Sequence, residues 1–347
     1  MDLKKMTSLF NEMKEESKLE ANFHLNSRIL VVDALNLYIR AFAATPTMDE
    51  EGYHVGGITG FLRSLGASIT LIKPTRVILI FDGQGGSQRR RHLFPEYKAN
   101  RKSMTRLNRT YGFDTIQTEK KSQKWQLIAL VKILENLPVT VMALDHIEAD
   151  DAIAYVAQLQ SQRDNNVIIM STDRDFLQLV DDKVKVYNPV KKKVYGELEV
   201  IEEYKIHPKN FLLYRMASGD KSDNVPGIKG LGPALLVKNF PQLSGSVVMA
   251  VDDMIRCAGL NLTSKICQKV VESKETLERN YSLMRLDEVD ISGVTKLKIV
   301  EMMDKFIPKL DKATMTKLFS DYKLWSQFKN YNEWVLNTWA PLLRFRV

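Results

Sequence analysis

Glu148-Ala149-Asp150-Asp151 is the stretch around which the chain is organised. Its three acids open a segment whose apolar positions Ala152, Ile153, Val156 and Ala157 recur at helical spacing until Gln160 interrupts the row. Val139-Thr140-Val141-Met142 ahead of it reads as a short buried strand. The acids therefore stand just past a strand end, in the first turn of a helix. A helix N-terminus favours one acid there. Three repel one another, and their pKa values rise unless something positive sits among them. A hard divalent cation is the obvious occupant.

Acids recur at equivalent places on either side. Arg28-Ile29-Leu30-Val31-Val32-Asp33 and Arg76-Val77-Ile78-Leu79-Ile80-Phe81-Asp82 read as buried strands that end in an aspartate, separated by helical segments at about 34–44 and 57–72 that Pro74 closes. Asn166-Val167-Ile168-Ile169-Met170 leads through Ser171-Thr172 to Asp173 and Asp175. Fully apolar strands suit a parallel sheet covered on both faces, and alternation with helices predicts an α/β fold with a central, mostly parallel sheet. Ligands of such sheets bind beyond the carboxyl ends of the strands.

Between Gly83 and about Lys124 the pattern breaks. Arg89, Arg90, Arg91, Lys98, Arg101, Lys102, Arg106 and Arg109 interleave with Phe94, Tyr97, Tyr111 and Phe113. A solvated loop is the bland reading; basic and aromatic residues beside an acidic site also suit a single-stranded nucleic acid, with phosphates paired and bases stacked. A hairpin is expected over 183–195 and helices near 197–205 and 208–218. Gly219-Asp220-Lys221-Ser222-Asp223-Asn224-Val225-Pro226-Gly227-Ile228-Lys229-Gly230-Leu231-Gly232 then joins an acid pair to a glycine-rich turn, and a helix follows at 234–240. Glycines there let backbone N–H groups approach phosphates. Beyond 243 the chain reads as amphipathic helices in which Trp325, Trp334 and Trp339 are packing residues.

A net charge of +8 favours a polyanionic partner. The two cysteines are too few for a disulfide framework, and the five histidines lack ligand spacing, which argues against zinc. No apolar run approaches a membrane span, and the N-terminus lacks a signal-peptide core, so a cytoplasmic protein with no membrane partner is expected. Oxygen-only ligation points to magnesium or manganese. Two such ions about 4 Å apart would stabilise both the attacking and the leaving oxygen of a phosphodiester.

In order and spacing from about 28 to 245, the chain resembles the 5′ nuclease (flap endonuclease) superfamily, which includes the 5′-nuclease domain of bacterial DNA polymerases and the phage 5′-3′ exonucleases. The matching residues are Val31-Val32-Asp33, Phe81-Asp82-Gly83, Pro95-Glu96-Tyr97-Lys98-Ala99-Asn100-Arg101, Glu148-Ala149-Asp150-Asp151, Ser171-Thr172-Asp173-Arg174-Asp175, and Gly219-Asp220 through Gly232. The resemblance implies a nuclease core at 28–205 after an extension at 1–27, with a helical arch at about 83–124. It further implies a helical DNA-binding region at 206–347 that holds a helix-three-turn-helix at about 208–240. Asp33, Asp82, Glu148 and Asp150 would surround one ion with Asp173 nearby, and Asp151, Asp175, Asp220 and Asp223 would serve the second. Water activated at the ions is the implied nucleophile. Lys98 and Arg101 match the basic pair at the base of the arch that contacts the scissile phosphate.

Arg40, Arg89, Arg90, Tyr97, Lys102, Lys221, Gly227, Lys229, Gly230, Gly232 and Lys238 would contact DNA, and the turn would hold a potassium ion. The substrate would be DNA with a 5′ flap, nick or overhang, or an RNA–DNA hybrid, acted on by a monomer. An aromatic residue often follows the first aspartate in the family to stack on the terminal base pair; aligned on Arg40, Ile39 stands there with Tyr38 beside it. Two other readings are a non-catalytic binder of branched DNA and a small metal-dependent ribonuclease. The intact acid set disfavours the first. The arch-like insertion and the glycine turn disfavour the second.

Overall fold

The structure, a computed structural model, describes residues 24–102 and 106–345. Residues 1–23 of the expected N-terminal extension lie outside the described residues.

The first half alternates as expected. Strand β1 (Arg28–Asp33) is followed by helices α1 (Ala34–Ala44) and α2 (Gly56–Ile72), then by β2 (Arg76–Asp82). A short helix α3 (Gln88–Leu93) and a single 3-10 turn at Ala99–Lys102 precede the long α4 (Ile116–Leu134). Next come β3 (Thr140–Leu144), α5 (Ala149–Gln162), β4 (Asn166–Met170) and the hairpin β5 (Val184–Asn188) and β6 (Lys193–Tyr195). The sheet order is β3-β2-β1-β4-β5-β6, parallel except for β6. The chain thus winds outward from β1 in one direction and, after α5 crosses back, in the other. The crevice where the order reverses, beside β1 and β4 at their carboxyl ends, is the ligand-binding position of doubly wound sheets. Register brings the acids to that edge: Asp33 pairs with Ile80 and Asp82 with Leu144.

Period-two alternation divides the core between the two faces. Ile29, Val31, Ile78, Ile80, Val167 and Ile169 face α5, while Leu30, Val32, Val77, Leu79 and Phe81 face α1, α2 and α4. Local signals set the helix starts. Asp33, the last residue of β1, also caps α1 by accepting from Asn36 N at 3.2 Å. Thr115 and Thr118 form a reciprocal capping box on α4, which satisfies two otherwise orphaned donors. Asp150 and Asp151 occupy the first turn of α5, where the helix dipole favours them.

The second half is helical: α6 (Glu197–Tyr204), α7 (Phe211–Ser218), a two-strand turn β7 (Gly219–Asp220) and β8 (Val225–Pro226), then α8 (Pro233–Asn239), α9 (Val251–Gly259), α10 (Lys265–Glu272), α11 (Lys274–Met284), α12 (Gly293–Asp304), α13 (Lys312–Asp321) and α14 (Tyr331–Trp334). Buried Asn280 of α11 holds the glycine turn in place, its amide donating to Met216 O at 2.9 Å and Pro226 O at 2.7 Å.

Within the expected region 206–347, residues 312–345 pack against the nuclease core. Met315, Phe319, Phe328, Tyr331, Val335 and Trp339 complete the apolar cluster over α1, α2 and α4. Gly66 permits the contact, since a Cβ there would lie 3.1 Å from Trp334 Nε1. The physical reason is that α2 carries apolar residues on more than one side and would otherwise expose them. No helix among the described residues is long and apolar enough to cross a membrane.

Candidate active site

The acids at the carboxyl edge fall into two groups, distinguished by whether a basic side chain already holds them. Arg90 is buried at 3% exposure, and its guanidinium donates to Glu148 Oε2 and, at 3.0 and 2.8 Å, to both oxygens of Asp151. Burial alone would lower the Arg90 pKa, but Asp151 and Glu148 raise it. Tyr97 is equally buried and donates to Glu148 at 2.9 Å and Asp223 at 3.1 Å. Lys98 Nζ donates to Glu148 Oε1 at 2.6 Å and lies 3.9 Å from Asp223. Burial pushes the Glu148 carboxyl up, yet Arg90 and Lys98 hold it below its ordinary value. Arg215 of α7 donates to Asp175 and, at 2.6 Å, to Asp220.

Asp33, Asp82, Asp150 and Asp173 have no basic partner at ion-pair distance among the described residues. Asp33 accepts from Ser171 Oγ at 3.0 Å, Asp82 from Ala149 N at 2.9 Å, and Asp173 from Asp175 N at 2.8 Å. Burial, with Asp82 nearby, pushes Asp33 up to about 6. Burial and Asp175 push Asp173 up to about 7. Asp150 is held well above the carboxylate range by burial and by Asp173 and Asp33. Such mutual repulsion needs a cation.

Oxygen donors without sulfur or imidazole fit a hard divalent ion. Among the described residues, no three His, Cys, Asp or Glu side chains are gathered so as to hold an ion as they stand. Arg90, Lys98 and Arg215 draw five of the nine acids towards themselves.

Lys98 is held at φ +56, a left-handed conformation that costs a non-glycine residue about 1–2 kcal/mol. Its backbone N donates to Asp223 O at 2.8 Å, which fixes the segment against the glycine turn while Nζ points at the acids. A cleft of about 560 Å³ opens alongside, lined by Asn36, Thr172, Asp173, Arg215, Asp220 and Lys221.

Several expectations for the DNA contacts are corrected. Arg90 and Tyr97 face inward, so neither presents a surface to DNA; their charge and hydroxyl instead satisfy buried Glu148 and Asp151. Asp151, expected on the second ion, has both oxygens engaged by Arg90. Gly227 packs against backbone, where a Cβ would lie 2.2 Å from Ser218 C, so it serves the close approach of β8 to the end of α7. Tyr38 is buried with its hydroxyl donating to Gln123 O, which leaves no stacking face. Arg40, Lys221, Lys229, Lys238 and Gly230 are exposed, and Arg89 and Gly232 are half-buried. Arg101 and Lys102 fall in the 3-10 turn, and their side chains lie outside the described residues. Sequence reading missed Arg215. Its signal is a lone charge within the apolar Phe211-Leu212-Leu213-Tyr214-Arg215-Met216, five residues before Asp220.

The family model described as 5′-3′ exonuclease, N-terminal resolvase-like domain, matches residues 28–205. The 5′-3′ exonuclease of Aquifex aeolicus is 30% identical over 297 residues, covering 84% of this chain and 94% of that protein. The chain belongs to the 5′-3′ exonuclease family. It is accordingly a hydrolytic nuclease. The 5′-3′ exonuclease of Bacillus subtilis is 32% identical over 216 residues, covering 60% of this chain and 67% of its own. A solved structure of T5 5′-exonuclease with bound zinc ions superposes with a TM-score of 0.61 at 20% identity, over 85% of this chain and 98% of that one. At that identity the likeness is one of fold.

Proposed function

We propose that this nuclease is structure-specific, cleaving phosphodiesters near the 5′ ends of DNA flaps, nicks or RNA primers, with two magnesium or manganese ions held among the strand-end acids. The observation that carries this reading is the cluster Asp33, Asp82, Asp150 and Asp173, four acids without a basic partner among the described residues, gathered at the switch point of the sheet beside Lys98. Bound divalent ions would activate water and offset charge on the phosphate. The protein's own part is positional. The turn in which Lys98 is locked aims an ammonium at the place where negative charge develops, and a donor fixed in advance costs no reorganisation during reaction. Arg40 and Arg89 at the crevice rim, with Lys221, Lys229 and Lys238 along the glycine turn, would pair with backbone phosphates and position the duplex. Gly230 and Gly232 have open space about them, which suits close approach of a phosphate or a potassium ion.

The test is cleavage of 5′-labelled flap, nicked and RNA-primed duplexes with and without magnesium, by the native enzyme and Asp150→Asn. Loss of metal-dependent cleavage by orders of magnitude, with flap binding and melting temperature retained, is expected. Native-like cleavage by Asp150→Asn would remove these acids from the reaction.

A further inference from the structure

Arg215 lies in the middle of α7 and is only 5% exposed. Its Nε donates to Asp175 Oδ1, its Nη2 to Asp220 Oδ2 at 2.6 Å, and its Nη1 lies 3.5 Å from Gly219 O. One edge of a guanidinium ordinarily grips both oxygens of a single carboxylate. Here that edge is divided between carboxylates from separate segments, one following β4 and one following α7. The remaining capacity of Asp220 is taken up locally: Oδ1 accepts from Ser222 N at 2.7 Å, Ser222 Oγ at 2.6 Å and Asp223 N at 3.3 Å. The loop thus orients Asp220 so that Oδ2 is the atom presented to a cation, and Arg215 is the cation presented to it.

A single positive group that bridges oxygens of two otherwise repelling acids occupies the position and does the electrostatic work of a bound ion. One guanidinium charge does not balance the cluster. It faces two carboxylates, Asp175 and Asp220, and Asp173 lines the same cleft. A divalent ion would therefore compete on favourable terms for the same oxygens.

We propose that Arg215 is a displaceable occupant of the second ion position, holding Asp175 and Asp220 together until a divalent cation takes their oxygens, and so setting how tightly that position binds its ion. This positioning role rests on the reading of the acids as ion ligands given above. Two consequences distinguish it from a fixed structural bridge. Removing Arg215 strengthens ion binding, because nothing has to leave. It also destabilises the protein only while no ion is bound; a structural bridge would be missed equally with and without the ion.

The experiment uses the full chain without DNA. Native protein, Arg215→Gln and Arg215→Lys are titrated with magnesium by calorimetry and melted in EDTA and in saturating magnesium. In parallel, the Nε–H resonance of Arg215, assigned in the native protein by through-bond correlation to its own backbone, is followed through the native titration. In Arg215→Gln the affinity of one ion position rises about tenfold or more, as expected when the charge-assisted bonds to Asp175 and Asp220 no longer have to be broken. Its melting deficit in EDTA closes in magnesium, and Arg215→Lys falls between. The Nε–H resonance of the native protein moves with the midpoint of the weaker site. Unchanged or weaker ion binding in Arg215→Gln, or an Nε–H resonance that stays fixed at saturating magnesium, overturns the proposal. That second measurement holds even if Arg215→Gln does not fold. Native protein that takes up no ion would overturn the ligand reading as well; ion uptake with an unmoved resonance overturns this inference alone.

Discussion

Replacing Arg90 with methionine separates the two roles that a basic residue in this segment can have. The guanidinium donates to Glu148, to both oxygens of Asp151 and, through Nε, to Leu283 O at 2.8 Å, all in a region closed to solvent. Methionine fills a similar volume but strips buried Asp151 of its bidentate partner, with only Arg89 left at 3.7 Å, and removes one of the two cations on buried Glu148, where Lys98 remains at 2.6 Å. Breaking a buried pair by deleting one partner costs about 3–5 kcal/mol. With an unfolding entropy of about 2.1 cal/mol/K per residue, the 347-residue chain loses about 4–7 °C in melting temperature. Calorimetry at neutral pH measures this, and adding Glu148→Gln with Asp151→Asn should recover part of the loss by removing the stranded charges. DNA affinity measured against salt should keep its slope, since no phosphate contact is lost. A melting temperature within about 1 °C of native, together with a salt slope reduced by about one, would refute the internal role. It would place the guanidinium on a phosphate.

Lys98→Ala should lower single-turnover cleavage by roughly 10²–10³-fold with flap affinity changed little; an unaltered rate removes Lys98 from the chemistry. In EDTA, the raised carboxyls Asp33 (about 6) and Asp173 (about 7) make the folded enzyme retain protons that the unfolded chain has already lost. Their contribution is therefore largest near pH 4 and declines as pH rises to about 7. Urea unfolding across that window should show stability falling, and a rise would contradict the assigned burial.

The sheet was legible because burial on both faces demands unbroken apolar runs, and the acids that end them are themselves the signal. β1 and β2 occupy the residues expected of them, and β3 shifts by only one or two, to 140–144. The inward network was not legible. Arg89-Arg90-Arg91 carries three identical charges, and nothing local distinguishes the one that turns towards Glu148 from its neighbours; only the tertiary approach of α3 to α5 does. Tyr97 is ambiguous for the same reason, since a phenol can stack on a base or satisfy a buried acid. Trp339 reads correctly as a packing residue, fully buried in the structure. However, an amphipathic pattern does not specify which surface it will cover, and so the destination of residues 312–345 could not be read.

That destination determines where the polypeptide can be cut. The family match ends at residue 205, yet one of the two apolar layers beneath that segment is finished by side chains more than a hundred positions later. A fragment trimmed at the match boundary would leave α2 without the cover of residues 335–339 and the cluster without Met315 and Phe319, and is expected to aggregate. During synthesis, residues 312–342 must leave the ribosome before this layer can close, which makes its completion a late folding step.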